Sequence, residues 1–294
     1  MIKKLSYVIF KILKLIDNFL KILTKRSFVI WFKDFIEKDS YKTIMLDNEK
    51  KEVKFFAPNY LTNWLVDDFH KKEPETIDWI RNFTNPKNKI IFWDIGANIG
   101  LYSIYAAKIH SDIEVISFEP STNNLRILSR NIFINKLQDK IKILQLPLGK
   151  EGIKFANLKE SQFHEGSSHN SFNNDLDFEG KRIKVTNDYK ILGISIKYLL
   201  ENNILEIPDY IKIDVDGIEH IILEGSGNHL SNKKIKGIQV EINENYKEQY
   251  DAIIKFMKEN GFKFQFKKRN EKLKIYKTKE FSKTYNYYFF NEKK

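Results

Sequence analysis

Apolar positions in residues 1–26 recur three and four apart. On a 100°-per-residue wheel Leu5, Ile9, Ile12, Ile16, Phe19, Leu20 and Leu23 share one face. Lys3, Lys11, Lys14, Asp17, Asn18, Lys21 and Lys25 occupy the other, which predicts a single amphipathic helix. Its longest unbroken apolar run is residues 7–10, far below the ~20 residues a membrane span requires. Lysines recur and no small-residue cleavage site follows, so neither a span nor a removed leader is expected. Two readings of the apolar face stay open: packing on the protein's own core or on a partner, or seating in an anionic membrane surface.

Residues 27–89 read as an α+β lead-in. A turn at Asp47-Asn48 joins 43–46 to the alternating 53–56, and Pro74 opens a helix over 73–83. From residue 90 to 294 strand and helix patterns alternate as in an α/β fold with a doubly wound sheet. Strands are predicted at 90–93, 115–118, 141–146, 210–215 and 235–242. Helices are predicted at 100–109, 123–135, 191–201, 218–230 and 247–260. Residues 157–182 are polar and weakly patterned, as a long loop or flap would be. GFKFQF and TYNYYFF suggest two closing strands.

Composition narrows the function classes. The net charge is +11, but residues 1–26 carry seven Lys/Arg against Asp17 alone, and residues 255–294 carry thirteen against four acids. The body between them is mildly acidic, unlike a protein that coats nucleic acid along its length. Lysines outnumber the six arginines heavily, which disfavours forked phosphate recognition. With no cysteine there is no disulfide framework, thiolate metal site or thiol nucleophile, and a reducing compartment fits. A cytoplasmic protein is expected, with peripheral contact at the inner face of the membrane as the extension of the basic helix.

The chemistry concentrates in FWDIGANIGLYS, residues 92–103. A buried strand ends in Asp94, and Gly96, Asn98 and Gly100 then turn sharply into a helix, where backbone can approach a ligand. The spacing is DxGxxxG, so a nicotinamide dinucleotide is disfavoured. Nineteen residues after Gly100 the next strand ends in Glu119, a carboxylate placed to accept both ribose hydroxyls. The whole series resembles the class I S-adenosylmethionine-dependent methyltransferases. KEPETIDWI (72–80), VISFEPSTNN (115–124), IKIDVDGIEHIILEG (211–225) and IQVEI (238–242) are similar to the FkbM methyltransferases in particular. That resemblance covers about residues 43–245. It implies a Rossmann-like, mostly parallel seven-stranded sheet with an antiparallel closing strand. It also implies S-adenosylmethionine as cofactor, held by Asp94, Gly96, Asn98, Gly100, Glu119 and Asp214, and methyl transfer to a hydroxyl, often of a sugar.

Methyl transfer requires an aligned acceptor, exclusion of water and removal of a proton. Asp214 and Asp216 end a strand at the sheet edge that also carries Asp94 and Glu119. Asp214 either caps the following helix or contacts the cofactor's methionyl end or the acceptor. Glu219 either complements a helix dipole or, by its match to the family pattern, acts in the site. His164 and His169 lie in the flap sequence HEGSSH; His169 is the candidate base, and solvated loop histidines are the plain alternative. His70, His110 and His229 stand without local partners and read as surface residues. Asp214, Asp216, Glu219 and Glu241 form an oxygen-rich set, but IDVDG lacks a filled octahedral signature, so no metal is expected. The resemblance implies an acid or amide after the third strand for the adenine amino group; here LQLPLG offers Pro147 and Leu148, which leaves that contact to backbone. The acceptor is thus expected to be a small molecule or glycan and nucleic acid is not, since IDVDG replaces the Pro-Pro-aromatic loop of amino-directed base methylation. An RNA methyltransferase, suggested by the basic termini, and a non-catalytic module keeping the fold are the alternatives.

Overall fold

The computed structural model describes residues 1–46, 51–86, 88–271, 278 and 281–292. The turn read at Asp47-Asn48 lies outside the described residues. Helix α1 (Ile2–Thr24) follows the periodicity, and α2 (Phe28–Lys38), not separated from the lead-in by the sequence, folds back beside it. Asp17 is the hinge of this pair. Its buried carboxylate accepts from the Ser27 hydroxyl (2.8 and 2.9 Å) and from the Val29 N–H (3.2 Å) at the start of α2. The flank of α1 that carries Leu13, Asp17 and Leu20 is therefore shielded, and most of the apolar face is turned outward. Packing of that face on the protein's own core is not what the structure shows.

Strands β1 (Tyr41–Leu46) and β2 (Lys51–Phe56) form an antiparallel hairpin, with Tyr41 opposite Phe56. Helix α3 (Tyr60–Asp67) starts on a capping box between Asn59 and Thr62. The short α4 (Phe69–Lys72) leads into α5 (Pro74–Arg81), with Pro74 in the first turn.

The central sheet begins with β3 (Ile90–Ile95), β4 (Ile113–Phe118) and β5 (Ile141–Leu144), separated by α6 (Leu101–Ile109) and α7 (Thr122–Ile134). The stretch read as a polar flap, 157–182, contributes the end of one strand and the whole of another to a small antiparallel sheet. Its strands are β6 (Ile153–Glu160), β7 (Asn170–Phe172) and β8 (Asn187–Ile194), with β6 in the middle. The helix expected over 191–201 is consequently shorter. Ser195 caps α8 (Ile196–Glu201) by accepting from the Tyr198 N–H (3.1 Å), and residues before it continue β8. The chain closes with β9 (Tyr210–Ile213), α9 (Glu219–Glu224), β10 (Gly237–Asn243), α10 (Lys247–Glu259), β11 (Phe262–Lys268) and β12 (Thr284–Asn291). The helix expected over 218–230 stops at Glu224, and residues 229–231 form only a 3₁₀ turn.

Sheet order is β11-β12-β10-β9-β3-β4-β5, and β12 is the strand that runs against both neighbours. This is a Rossmann-like, mostly parallel seven-stranded sheet with an antiparallel closing strand. Alternate residues of β3 feed its two faces. Ile90 and Phe92 join a core with the lead-in, α6 and α7, while Ile91, Trp93 and Ile95 join one with α8, α9 and α10. Both faces are covered, so the central strands are mostly apolar, with Asp94, Ser117 and Lys212 as buried exceptions. The hairpin edge is tied down by asparagine amides at the end of α7: Asn131 accepts from the Phe56 N–H (2.7 Å) and Asn135 from the Lys54 N–H (3.0 Å). His110, read as a surface residue, is partly buried, with its ring against Phe83 and Nε2 on the Ile80 carbonyl (2.8 Å).

Candidate active site

A cavity of about 330 Å³ opens at the carboxyl ends of β3, β4, β9 and β10, where the order of an open α/β sheet reverses about β3. Its floor is the turn after β3. Gly96 has φ 87°, and a Cβ there would sit 1.8 Å from the Asp214 carbonyl oxygen, so only glycine lets the ends of β3 and β9 approach this closely.

One end of the cavity is built on Glu119. Its carboxylate accepts from the Asn98 N–H (2.8 Å) and the Ser121 N–H (2.9 Å), which fixes its plane and leaves outer lone pairs for a vicinal diol. Burial pushes this carboxyl up to about 7 despite those hydrogen bonds. Asn98 Oδ1 has no hydrogen-bond partner among the described residues, an acceptor waiting for a donor on a residue that lines the cavity. Leu146, Pro147 and Leu148 give this end an apolar wall suited to a flat base. A nucleoside with a free ribose diol fits these groups.

The other end is charged. Lys212 is buried on β9 and donates to Asp214 Oδ2 (2.7 Å), with Tyr102 5.0 Å from its ammonium. Burial alone would push the ammonium down, but Asp214, Glu73 and Asp94 outweigh it and hold Lys212 above the usual range. Burial likewise opposes ionisation of Asp214, yet Lys212 and Lys72 hold its pKa below the usual value. Across from it Glu241 is raised well above the ordinary carboxylate range, by burial first and then by Asp214 and Asp216. Asp216, at φ 64°, is raised mainly by burial, and its Oδ2 accepts from the His169 N–H (2.8 Å). Lys72 enters from α4, its ammonium 3.2 Å from the buried Glu73. Glu241 is within hydrogen-bonding reach of Asp214, so this carboxyl pair can accept a proton from a hydroxyl while Lys212 and Lys72 offset negative charge beside it.

Residues 161–169 roof the cavity. Asn124 clasps the Gly166 N–H (2.9 Å) and the Ser167 carbonyl (3.0 Å), while Asn98 reaches the Gly166 and Ser167 carbonyls (3.3 Å each). Asn59 and Arg126 hold Glu165, each at 3.2 Å.

The expected site residues fall into two groups. Gly96, Asn98, Glu119, Asp214 and His169 line the cavity. Asp94, Gly100 and Glu219 stand behind its wall and brace it, which differs from the direct contact expected of them. Asp94 is fully buried, raised by burial, and accepts from Ser103 (2.5 Å), which is 2.7 Å from Ser117. Gly100 starts α6, where a Cβ would meet Leu128 at 2.5 Å. Glu219, pushed up to about 7 by burial, accepts from the Val215 N–H (3.1 Å), the Gly217 N–H (3.0 Å) and the Gln249 amide (2.5 Å), fixing the turn that carries Asp216. His164 is exposed and lies outside the lining. Sequence reasoning missed Lys72 and Lys212. The signal for Lys212 was a lysine within the apolar strand YIKI, which demands a buried counter-charge.

The family model described as the methyltransferase FkbM domain matches residues 94–264. Methyltransferase sdnD of Sordaria araneosa is 28% identical over 159 residues, which are 48% of this chain and 61% of that protein. The chain thus spans less than two thirds of that relative's length. Among solved structures, precorrin-6y C5,15-methyltransferase from Geobacter metallireducens is similar with a TM-score of 0.41 at 12% identity, over 74% of this chain and 86% of the other. TrmK of M. capricolum in complex with S-adenosyl-homocysteine gives 0.41 at 14% identity, over 74% and 68%.

Proposed function

The chain belongs to the FkbM methyltransferase family, and from that premise we propose that it methylates a hydroxyl oxygen of a sugar in a glycan, a glycolipid or a related metabolite. S-adenosylmethionine, the cofactor that goes with this family, supplies when bound an electrophilic methyl group on a sulfonium. Glu119 would take the ribose hydroxyls and Asn98 Oδ1 a donor of the cofactor.

The observation that carries the reading is the division of one cavity into a diol-binding end at Glu119 and a carboxylate-lined end at Asp214 and Glu241. An alcohol is a weak acid, so its methylation gains from a base that takes the proton as the oxygen attacks. Glu241 in its ionised form is such a base, since its raised pKa makes it a stronger proton acceptor than an ordinary carboxylate. Lys212 and Lys72 offset the charge that gathers on the acceptor oxygen. Phe281 at the lining offers an apolar surface on which a sugar ring can rest. The roof of residues 161–169 keeps water from the reacting atoms.

The test is transfer of labelled methyl from S-adenosylmethionine into an extract of the source cell, fractionated into polysaccharide, lipid and RNA. Label in polysaccharide or glycolipid that survives ribonuclease and disappears with Glu241→Gln supports the reading. Label confined to ribonuclease-sensitive material overturns it.

A further inference from the structure

We propose that α1 and α2 together form an anchor that seats the protein on an anionic lipid bilayer. Among the described residues no helix is long and apolar enough to cross a membrane, so the contact is interfacial. The 23 residues of α1 make a rod ~35 Å long at about 1.5 Å per residue. Only Leu13, Asp17 and Leu20 along it are shielded; Phe19 and Leu23 remain 62% and 65% exposed.

Helix α2 adds a second apolar surface. Glu37 faces the body of the protein, 2.5 Å from Arg126 and 3.2 Å from Arg130. At 100° per residue Trp31, Phe32 and Phe35 lie on the opposite side of the helix from Glu37. Trp31 is 62% exposed and Phe35 60%. Asp17 clamps the two helices into one unit, so both apolar faces are held in a fixed relation rather than left to a flexible tail.

Charge selects the occupant. The seven basic residues of 1–26 face one acid, and Asp17 is consumed between the two helices, so the outward surface of α1 carries lysines and no acid, while on α2 the exposed Asp34 is matched by Lys33 and Lys38. A second copy would bring the same lysine rows against each other, at a cost. An anionic bilayer takes both features: acyl chains accept Phe19, Leu23, Trp31 and Phe35, while headgroups accept the lysines that border them. Tryptophan is a preferred residue at that depth. This proposal does not depend on the identity of the methyl acceptor.

The experiment is co-sedimentation of the full chain with vesicles of phosphatidylglycerol and phosphatidylcholine, against phosphatidylcholine alone. The chain should pellet with the anionic vesicles at least about tenfold better, and rising salt should release it. The variant Phe19→Gln/Leu23→Gln/Trp31→Gln/Phe35→Gln changes exposed positions only, so its Tm should match the parent while vesicle binding is lost. Trp31 emission should shift to the blue on anionic vesicles, a shift absent in Trp31→Phe. Equal binding to neutral vesicles, or no binding, would overturn the proposal. So would a dimer without vesicle affinity that the fourfold variant converts to monomer.

Discussion

Glu241 holds its proton to a higher pH than an ordinary carboxyl because burial beside Asp214 and Asp216 disfavours a further negative charge there. A carboxyl with a raised pKa is protonated below that value and becomes a base only as pH rises through it. The rate of methyl transfer should therefore climb with pH through a value well above the ordinary carboxylate range. Glu241→Gln should flatten this rise and lower kcat while donor affinity stays unchanged; a pH–rate profile of the two proteins checks both. Lys212→Met removes one partner of a buried pair and strands Asp214, which should cost ~3–5 kcal/mol in denaturant-derived stability. Local sequence exposed half of this site and hid the rest. Asp94, Gly96, Asn98, Gly100 and Glu119 were legible because one strand, one turn and the next strand deliver them. Lys72 was hidden because it arrives from the lead-in, and a half-buried lysine beside Glu73 reads like any solvated pair. Lining and bracing residues were also indistinguishable, since burial behind a wall is a property of three dimensions.

At the level of elements, asparagine amides do the joining. Asn131 accepts from the Phe56 N–H and donates to the Ile99 carbonyl (2.9 Å), tying the hairpin, α7 and the glycine turn together. Asn131→Ala leaves both buried groups without a partner, and about 1–3 kcal/mol should be lost for each in thermal or chemical denaturation. Arg126 spans Glu37 on α2 and Glu165 on the roof, with all three side chains partly exposed. Arg126→Ala should accordingly change global stability by less than about 1 kcal/mol. Hydrogen exchange in residues 161–169 should nonetheless quicken, because the roof loses a tether. The parallel strands were legible as apolar runs, and the α/β alternation followed from them. The β6–β8 sheet was not, because β6 buries only part of one side and its exposed Ile153 and Phe155 blur the period. In β8 the run ILGI continues into the apolar start of α8, so only the Ser195 cap marks where strand becomes helix.

Across the whole molecule, the charge asymmetry seen in the sequence has a structural counterpart. A mildly acidic body carries the cavity, and the cationic α1 stands outside the core with its apolar face uncovered. The fold places both ends of the methyl-transfer cavity on one sheet edge, so cofactor binding and acceptor activation should be separable by substitution. Titration of purified protein with S-adenosylhomocysteine measures that separation directly and needs no knowledge of the acceptor. Wild type and Glu241→Gln should bind alike, while Glu119→Gln should bind about ten- to a hundredfold more weakly, through loss of charged hydrogen bonds. Equal affinity in Glu119→Gln and wild type, or a matching loss in Glu241→Gln, would contradict the division of the cavity on which the account rests.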